Sequence, residues 1–427
     1  MAERRGSVWY GSRRVGALRE NDSHSLHFAY DPAWLADGGF PVSVLLPLSL
    51  GDREVEAHGF FEGLLPEGPV RQRICRQLGI DFRDDAGLLL AIGEDCAGAL
   101  SILPGDATPE EAPHAPVFLS RTAFDRMVSS HGADMPAVEG GRQRFSLAGA
   151  QEKQPVIYAG QSYALPDRAN PSSHILKFET IPRVCFAEYA ANRMAKALAL
   201  PVVETEYLLD GVSDAAMPCL RIRRFDRLHA SGQLLRLHQE DIVQALGLSS
   251  LLKYQRDGGP ALSDIAQLLR AHTARPVEAL AHLRDWQIFN CLIGNWDGHG
   301  KNLALLYEPG EVAPRLAPFY DLVAIEFLNL VRPNTYARDL AFAVGSHYVP
   351  EQITRADWET LARDLGMPAR RVLARLEEWA LQLPDICRAA RAAFAAEQDD
   401  EAVYDKLEEC VRRRCKWTLN SLASGKS

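Results

Sequence analysis

The feature that most constrains this chain is a long apolar segment that ends in a cluster of polar residues. The segment PVEALAHLRDWQIFNCLIG, at 276–294, has the spacing of an amphipathic helix that ends at Gly294. The stretch NWDGHGKN follows it, and the apolar run LALLY after that is typical of a strand. A helix, a glycine-containing loop and a strand are therefore predicted in direct succession. The loop brings an acid, an imidazole, an ammonium and an amide into a few positions: Asp297, His299, Lys301 and Asn302.

Three interpretations of this loop are open: a metal-dependent hydrolase site, a catalytic loop for phosphoryl transfer, or a polar turn. A metal site needs ligands besides His299, and none of the candidates has a metal-ligand spacing to it. Those candidates are His272, His282 and His347. Asp297 and Asn302 have the D-x-x-x-x-N spacing of the protein-kinase catalytic loop. In that chemistry the acid accepts the proton of the acceptor hydroxyl, and the amide oxygen binds a divalent cation.

Length and composition limit the class of protein. A chain of 427 residues predicts two or three domains, and a net charge of −9 argues against unaided coating of nucleic acid. The first residues lack the apolar core of a signal peptide, and no apolar run is long enough to span a membrane. A soluble, cytoplasmic protein is expected. The eight cysteines form no C-x-x-C pair, so we expect buried thiols rather than zinc ligands.

The order of elements predicts an α+β fold with a cleft between two lobes. A β-rich unit followed by helix is expected at 1–104, with a linker rich in proline and acid at 104–116. A mixed unit follows at 117–225, and helices dominate 226–427. About four helices are expected near the end of the chain, with a break at Pro384. Ligands commonly bind in a cleft between such lobes.

Further polar residues precede and follow the catalytic-type loop. The glycine-containing stretch FSLAGAQEK, 145–153, could direct backbone N–H groups at phosphate or form a hairpin loop. Lys177 lies in the apolar strand HILKFE, so it needs an anionic partner or an edge position, and Glu188 on the next helix is placed to pair with it. Asp321 ends the stretch LAPFYD as a metal ligand, a turn residue or a helix cap. The order of these parts matches a phosphoryl-transfer site, whereas the motifs GxxxxGK[ST], GxGxxG, HExxH and GxSxG are absent.

With these motifs the chain resembles the HipA-like serine/threonine kinases, the toxins of HipA–HipB toxin–antitoxin systems. The similar stretches are FFEGLLPEGPVRQRI, IGEDCAGALSILP, SLAGAQEK, HILKFE, RRFDR, HQEDIVQALGL, KYQRDGGP, LIGNWDGHGKN and PFYDL. The resemblance implies a bilobal kinase-like fold of the phosphoinositide-kinase-like branch, in which D-x-H-x-x-N replaces HRD. It also implies an N-terminal subdomain at 1–104, a kinase N-lobe at 117–225 and a helical C-lobe at 226–427.

The resemblance assigns a role to each site residue. Asp297 would accept the proton, and Asn302 and Asp321 would bind the metal. The residues that would bind ATP are Ala148, Gly149, Ala150, Gln151, Glu152, Lys153, Lys177, Arg223, Arg224, Phe225, His299, Gly300, Lys301, Asn302, Tyr320 and Asp321. Arg223 stands where the family usually has an acidic hinge residue, so hinge contacts are expected from the backbone. Ser146 would be autophosphorylated, and its phosphate would repel ATP and eject the loop.

The resemblance also implies cofactors and partners. ATP and Mg²⁺ are expected, with an aminoacyl-tRNA synthetase, foremost glutamyl-tRNA synthetase, as the substrate whose phosphorylation arrests growth. A small DNA-binding antitoxin would bridge the kinase to operator DNA, which agrees with the acidic net charge. Arg412 to Arg414 could touch DNA phosphates or form a solvated helix face. Two alternatives stay open: a nucleotide-binding regulatory subunit that acts through an antitoxin–DNA complex, and a kinase for a small molecule or lipid.

Overall fold

The computed structural model describes most of the chain. The described residues are 4–109, 114–132, 153–167, 169–208, 217–230, 233–311, 313–333, 335–395 and 401–424. The predicted phosphate loop, from Ser146 and Ala148 to Glu152, lies outside them. In the described part of the chain, no helix is long and apolar enough to cross a membrane. All eight cysteines are described, and each is a buried free thiol, as expected.

The first unit is a five-stranded antiparallel sheet with four helices. Its strands are β1 (Arg5–Tyr10), β2 (Arg13–Glu20), β3 (Leu26–Tyr30), β4 (Val55–Glu56) and β5 (Ser101–Pro104), in the order β4-β3-β2-β1-β5. Its helices are α1 (Pro32–Ala36), α2 (His58–Glu62), α3 (Gly68–Leu78) and α4 (Asp85–Ile92). Alternate residues of β3, Leu26, Phe28 and Tyr30, are buried because successive strand residues point to opposite faces. They help to build a core that belongs to this unit.

The second unit is a mixed sheet and helix structure. Its elements are α5 (Arg121–Ser129), β6 (Lys153–Ala159), β7 (Ser162–Ala164), β8 (His174–Phe178), α6 (Val184–Ala197), β9 (Thr205–Leu208) and β10 (Cys219–Arg223). The strand order is β7-β6-β8-β10-β9. The hairpin of β6 and β7 turns at Gly160 and Gln161, whose φ angles of +55° and +67° suit a type I′ turn. The sequence predicts this hairpin, strand β8 and helix α6, and the structure contains all three.

The third unit is mainly helical. It begins with the hairpin β11 (Arg227–Ala230) and β12 (Gln233–Arg236) and a small sheet of β13 (His238–Asp241), β14 (Ala304–Tyr307) and β15 (Arg315–Leu316). Its helices are α7 (Ile242–Ala245), α8 (Leu262–His272), α9 (Pro276–Ile293), α10 (Ile325–Val331), α11 (Arg355–Asp364), α12 (Ala369–Ala395) and α13 (Glu401–Ser424).

Helix α9 carries the chain into the polar loop, and it ends at Gly294 as predicted. Gly294 has a φ of +72°, the left-handed conformation that commonly closes a helix. The predicted amphipathic character is wrong for the second half, where every residue from Leu283 to Ile293 is buried. The reason is that α8, α12 and α13 all pack against α9. The loop that follows is therefore attached to the end of a helix that the core surrounds.

Helix α12 differs from the sequence prediction, which places a break at Pro384. The helix continues through this proline from Ala369 to Ala395. Leu383 and Cys387 on either side of it are buried, so the apolar stripe that packs into the core is continuous across the proline. Tertiary packing therefore outweighs the loss of one backbone N–H donor.

Candidate active site

A cleft of about 780 Å³ lies between the second unit and the helical third unit, and the first unit contributes to its wall. It brings together most of the site residues that the sequence predicts. Those residues are Lys153, Lys177, Arg223, Arg224, Phe225, Asp297, His299, Lys301, Asn302, Tyr320 and Asp321. They come from β6, β8, the end of β10, the loop after α9 and the segment before α10. Gly300 does not line the cleft; its N–H donates to the carbonyl oxygen of Lys253 at 3.1 Å.

Lys177 forms a buried ion pair with Glu188, as the sequence predicts. Its Nζ donates to both carboxylate oxygens of Glu188 at 2.7 and 2.8 Å, and it also bonds to Asp321. Burial acts to lower the pKa of Lys177, but the two carboxylates raise it above its ordinary value. The ammonium is therefore charged at neutral pH and lies in the wall of the cleft.

A second lysine lies beside the first. Lys153 and Lys177 are direct partners in the antiparallel register of β6 and β8. Burial lowers the pKa of Lys153, Asp321 opposes that change, and the neighbouring charge of Lys177 adds to it. Two amino groups next to each other in a cleft form a site for an anion such as phosphate.

Asp321 and Asn302 meet in one corner of the cleft beside Lys177. Asp321 has a φ of +55°, a left-handed conformation that Asp adopts more readily than most residues. Burial alone would raise the pKa of Asp321, but Lys177 and Lys153 lower it to about 2. The amide Nδ2 of Asn302 lies 3.2 Å from the other carboxylate oxygen of Asp321. One carboxylate and one amide suit Mg²⁺, which usually takes one or two protein ligands together with phosphate oxygens.

Asp297 lies at the start of the loop with its side chain exposed to the cleft. Its Oδ1 accepts a hydrogen bond of 2.5 Å from the phenol of Tyr254. Among the described residues, none donates a hydrogen bond to Oδ2. Removal from water raises the pKa of Asp297 above its ordinary value, and the hydrogen bond from Tyr254 opposes that change. One oxygen of Asp297 is thus held by the protein, and the other is open to the cleft.

His299 packs against the tyrosine that donates to this carboxylate. Its ring packs edge-on against Tyr254 with the ring centroids 5.2 Å apart. Burial, strengthened by the charge of Lys253, lowers the pKa of His299 to about 3, so the imidazole is neutral. Of the three histidines proposed as additional metal ligands, His347 pairs with Asp357 instead. The described residues contain no group of three or more His, Cys, Asp or Glu side chains that could hold a metal, so the geometry does not support the hydrolase interpretation.

Lys301 lines the cleft, but its ammonium is already engaged within the protein. Nζ donates to Oδ2 of Asp241 at 2.7 Å and to the carbonyl oxygen of Gly63 at 3.2 Å. Burial opposes the charged form, yet Asp241 and Glu67 raise the pKa of Lys301 above its ordinary value. A phosphate contact by Lys301 stays a prediction, and it would compete with this pairing.

The predicted hinge has two side chains that are used for structure. Arg224 is buried, where Nε and Nη2 donate to the carboxylate of Asp226 at 2.8 and 2.6 Å. Arg223 is exposed and pairs with Glu204 at 3.1 Å. Phe225 stacks on Tyr320 with ring centroids 5.5 Å apart, which places two aromatic faces at this end of the cleft. An aromatic surface of this kind suits a planar base.

Sequence reasoning missed a set of charged residues that connect the first unit to the loop. Glu67, at the start of α3, accepts a hydrogen bond of 2.9 Å from Lys253 and lies 3.6 Å from Lys301. Lys253 and Tyr254 belong to the stretch KYQRDGGP, and Asp241 is the N-cap of α7. None of these residues has a local pattern that distinguishes it from a surface charge. The resemblance of the surrounding stretches was the only signal.

Two protein families match this chain. The HipA N-terminal domain matches residues 6–103, and the HipA-like C-terminal domain matches residues 145–386. This chain belongs to the HipA-like family of serine/threonine kinases. The match to the HipA-like C-terminal domain covers β6 to β10 of the second unit and the third unit as far as residue 386, and it includes every residue that lines the cleft outside the first unit except His131.

Curated proteins and solved structures agree with membership of the HipA family. The chain is 34% identical over 371 residues to the putative kinase Y4mE of Sinorhizobium fredii, covering 84% of this chain and 86% of the relative. It is 29% identical over 395 residues to the serine/threonine-protein kinase toxin HipA of Shewanella oneidensis, covering 90% and 88%. A chain of the solved complex of HipA, HipB and operator DNA from that organism has a TM-score of 0.82 to this structure. That match has 25% sequence identity and covers 98% of both chains.

Proposed function

We propose that this protein transfers the γ-phosphoryl group of ATP to a serine or threonine of another protein, with Mg²⁺, and arrests growth as the toxin of a toxin–antitoxin system. The observation that carries the proposal is the convergence of Lys177, Asp297, Asn302 and Asp321 in one cleft of a HipA-like chain. The donor set fits both ligands, because two ammonium groups suit the phosphates and the Asp321–Asn302 corner suits Mg²⁺.

Different residues of the chain would contribute to different parts of the reaction. Lys177 and Lys153 would neutralise phosphate oxygens, while Glu188 holds Lys177 in place. Asn302 and Asp321 would hold Mg²⁺, whose charge would offset the negative charge on the phosphates. Asp297 would accept the proton of the acceptor hydroxyl as the new O–P bond forms and the bond to ADP breaks. The open oxygen of Asp297 and its raised pKa suit a general base.

The nucleotide would lie with its base near Phe225 and Tyr320 and its phosphates near the lysines. The stack of these two rings and the apolar side chains of Ile175 and Ile222 at the same cleft support this orientation. We also propose the phosphoinositide-kinase-like branch, which rests on the D-x-H-x-x-N sequence of the loop. The loop from Ala148 to Lys153 would cover the phosphates.

Ser146 is the proposed autophosphorylation site, and phosphorylation there would silence the enzyme. A phosphoserine carries a charge of roughly −1.5 to −2, which repels the phosphates of ATP. Incubation of the wild-type protein with γ-labelled ATP and Mg²⁺ is expected to label Ser146. A Ser146→Ala variant is expected to lose that label and to remain toxic, and label that persists in this variant would refute the assignment.

The partners are proposed from the relatives and from charge. The Shewanella oneidensis neighbour is solved in a complex with HipB and operator DNA, so we propose a HipB-like antitoxin that carries most of the DNA contact. The net charge of −9 supports this division. The substrate that we propose is an aminoacyl-tRNA synthetase, foremost glutamyl-tRNA synthetase. The proposed location is the cytoplasm, where ATP and operator DNA are both present.

Expression of the wild type and of Asp297→Ala in the same cells, followed by phosphoproteomics, tests the function. We expect one or a few phosphoserine or phosphothreonine sites that appear only with the wild type, together with growth arrest that Asp297→Ala and Asp321→Ala both abolish. Arrest that persists in both variants would favour a regulatory subunit that acts on DNA. Label on lipids or small molecules instead of protein would favour the other kinase class.

A further inference from the structure

Tyr254 makes the one hydrogen bond that the described residues give to the Asp297 carboxylate. Its phenol donates to Oδ1 at 2.5 Å, and Oδ2 remains open to the cleft. An exposed carboxylate such as that of Asp297 can rotate about its side-chain bonds, and each rotation changes which oxygen faces the cleft. A single strong bond to one oxygen therefore selects one orientation of the base.

Tyr254 is itself fixed to the catalytic loop at a second point. Its ring packs edge-on against His299, with an interplanar angle of 83°. The carbonyl oxygen of the preceding residue, Lys253, accepts the N–H of Gly300 at 3.1 Å. A change in the position of Tyr254 would therefore move the loop, and a change in the loop would move Tyr254.

The segment 250–254, which ends in Tyr254, is held by the first unit of the fold. The N–H of Ser250 donates to Glu62 at 2.8 Å, and its hydroxyl donates to the other oxygen of the same carboxylate. At the other end, Lys253 donates to Glu67 at 2.9 Å. Two carboxylates of the N-terminal unit thus secure both ends of this segment. The N-terminal unit is therefore connected to Asp297 through two sets of contacts. Glu62 and Glu67 bind the segment, and Tyr254 at the end of the segment binds the carboxylate.

We propose that Tyr254 is a positioning residue for the catalytic base, held in place by the N-terminal unit through the segment 250–254. The role rests on the proposed kinase function. Tyr254 donates to Oδ1, which leaves Oδ2 to receive the proton of the acceptor hydroxyl, and it favours the ionised form of Asp297 that the reaction needs. The N-terminal unit acts on catalysis because it supplies Glu62 and Glu67.

A Tyr254→Phe variant tests the role, with Tyr348→Phe as the matched control. Tyr348 is in the same unit and packs against Arg256, and it is not part of the cleft lining. With Tyr254→Phe we expect kcat to fall about 10- to 100-fold, since small displacements of a catalytic group have effects of that size. The KM for ATP should change less than about twofold, because Tyr254 contacts no group assigned to ATP except the His299 ring.

The pH profile separates positioning from a general loss of structure. Because the Tyr254 bond lowers the pKa of Asp297, its removal should move the acid limb of kcat to higher pH. A Tyr254→Phe enzyme with wild-type kcat and an unchanged acid limb overturns this role alone. A loss that Tyr348→Phe shares equally also overturns it. A wild-type protein that binds ATP and transfers no phosphate overturns the proposed function and this role with it.

Discussion

Lys177 and Glu188 form a buried ion pair in which one ammonium contacts both oxygens of the carboxylate, and the same ammonium reaches Asp321 across the cleft. Glu188 projects from α6, Lys177 from β8 and Asp321 from the segment before α10. The pair therefore joins the sheet, the helix behind it and the proposed metal site. Burial raises the pKa of Glu188 to about 7 even though Lys177 opposes that change, so the carboxylate depends on its partner for its charge.

A Lys177→Met variant is expected to lose both stability and activity. It leaves the Glu188 carboxylate buried without its counter-charge, which typically costs about 3–5 kcal/mol of unfolding free energy. The double variant Lys177→Met, Glu188→Met should regain most of that stability, because both charges are gone, and should remain inactive. Urea denaturation and phosphoryl transfer, measured side by side, check this. A double variant that transfers phosphate would show that Lys177 is structural only.

An Asp321→Asn variant is expected to bind ATP without its normal response to Mg²⁺. Loss of even an outer-shell partner weakens metal binding about 10- to 100-fold, so loss of a direct ligand should weaken it at least as much. Calorimetric titration with ATP, with and without Mg²⁺, measures the effect. ATP affinity in the absence of Mg²⁺ should change little. If Mg²⁺ strengthened ATP binding equally in the variant and the wild type, that result would argue against Asp321 as a metal ligand.

A Glu67→Gln variant is expected to lower kcat by up to about fivefold and to leave the KM for ATP unchanged. The Glu67 carboxylate pairs with Lys253 at 2.9 Å and lies 3.6 Å from Lys301, and a partly exposed ion pair contributes up to about 1 kcal/mol, which corresponds to about fivefold in rate. The control is Glu54→Gln, which removes a carboxylate that pairs with Arg19 on the same N-terminal unit, outside the cleft lining. Steady-state kinetics should show no change for Glu54→Gln. Equal kinetics for the two variants would contradict coupling of the N-terminal unit to the loop.

The stability of the fold is expected to fall on mild acidification, in part through His238. The Nε2–H group of this buried ring donates to the carbonyl oxygen of Val42 at 2.7 Å, and burial lowers the pKa of the ring from 6.5 to about 4. The unfolded chain binds a proton below pH 6.5 and the folded one does not until about pH 4, so stability is full above 6.5 and is lost toward 4. As the pH is lowered from 7 to 4, the urea concentration at the midpoint of unfolding should fall less steeply for His238→Phe than for the wild type. An unchanged slope would contradict this assignment.

Local sequence patterns predicted the elements that hold the site. The alternation of HILKFE identified β8, and the glycine at the end of the apolar segment identified the end of α9. They failed where tertiary packing decides the outcome. The second half of α9 is buried on all sides, and α12 continues through Pro384 because its apolar stripe does not stop there.

The residues of the candidate site also fall into a group that the sequence could predict and a group that it could not. Lys177, Glu188, Asp297, Asn302 and Asp321 could be predicted to come together because their order and spacing match the parts of a phosphoryl-transfer site. The supporting residues could not be found in this way. Glu67 and Lys253 are 186 positions apart, and nothing in either local sequence indicates that they meet.

The measurement that tests the central claim most directly is single-turnover transfer of phosphate from γ-labelled ATP by the wild type and by Asp297→Asn. The substitution keeps the size of the side chain and an oxygen for Tyr254 but removes the base. We expect label on serine or threonine with the wild type. Transfer by Asp297→Asn should be at least about 100-fold slower while ATP and Mg²⁺ still bind. Transfer by Asp297→Asn at the wild-type rate would contradict the account.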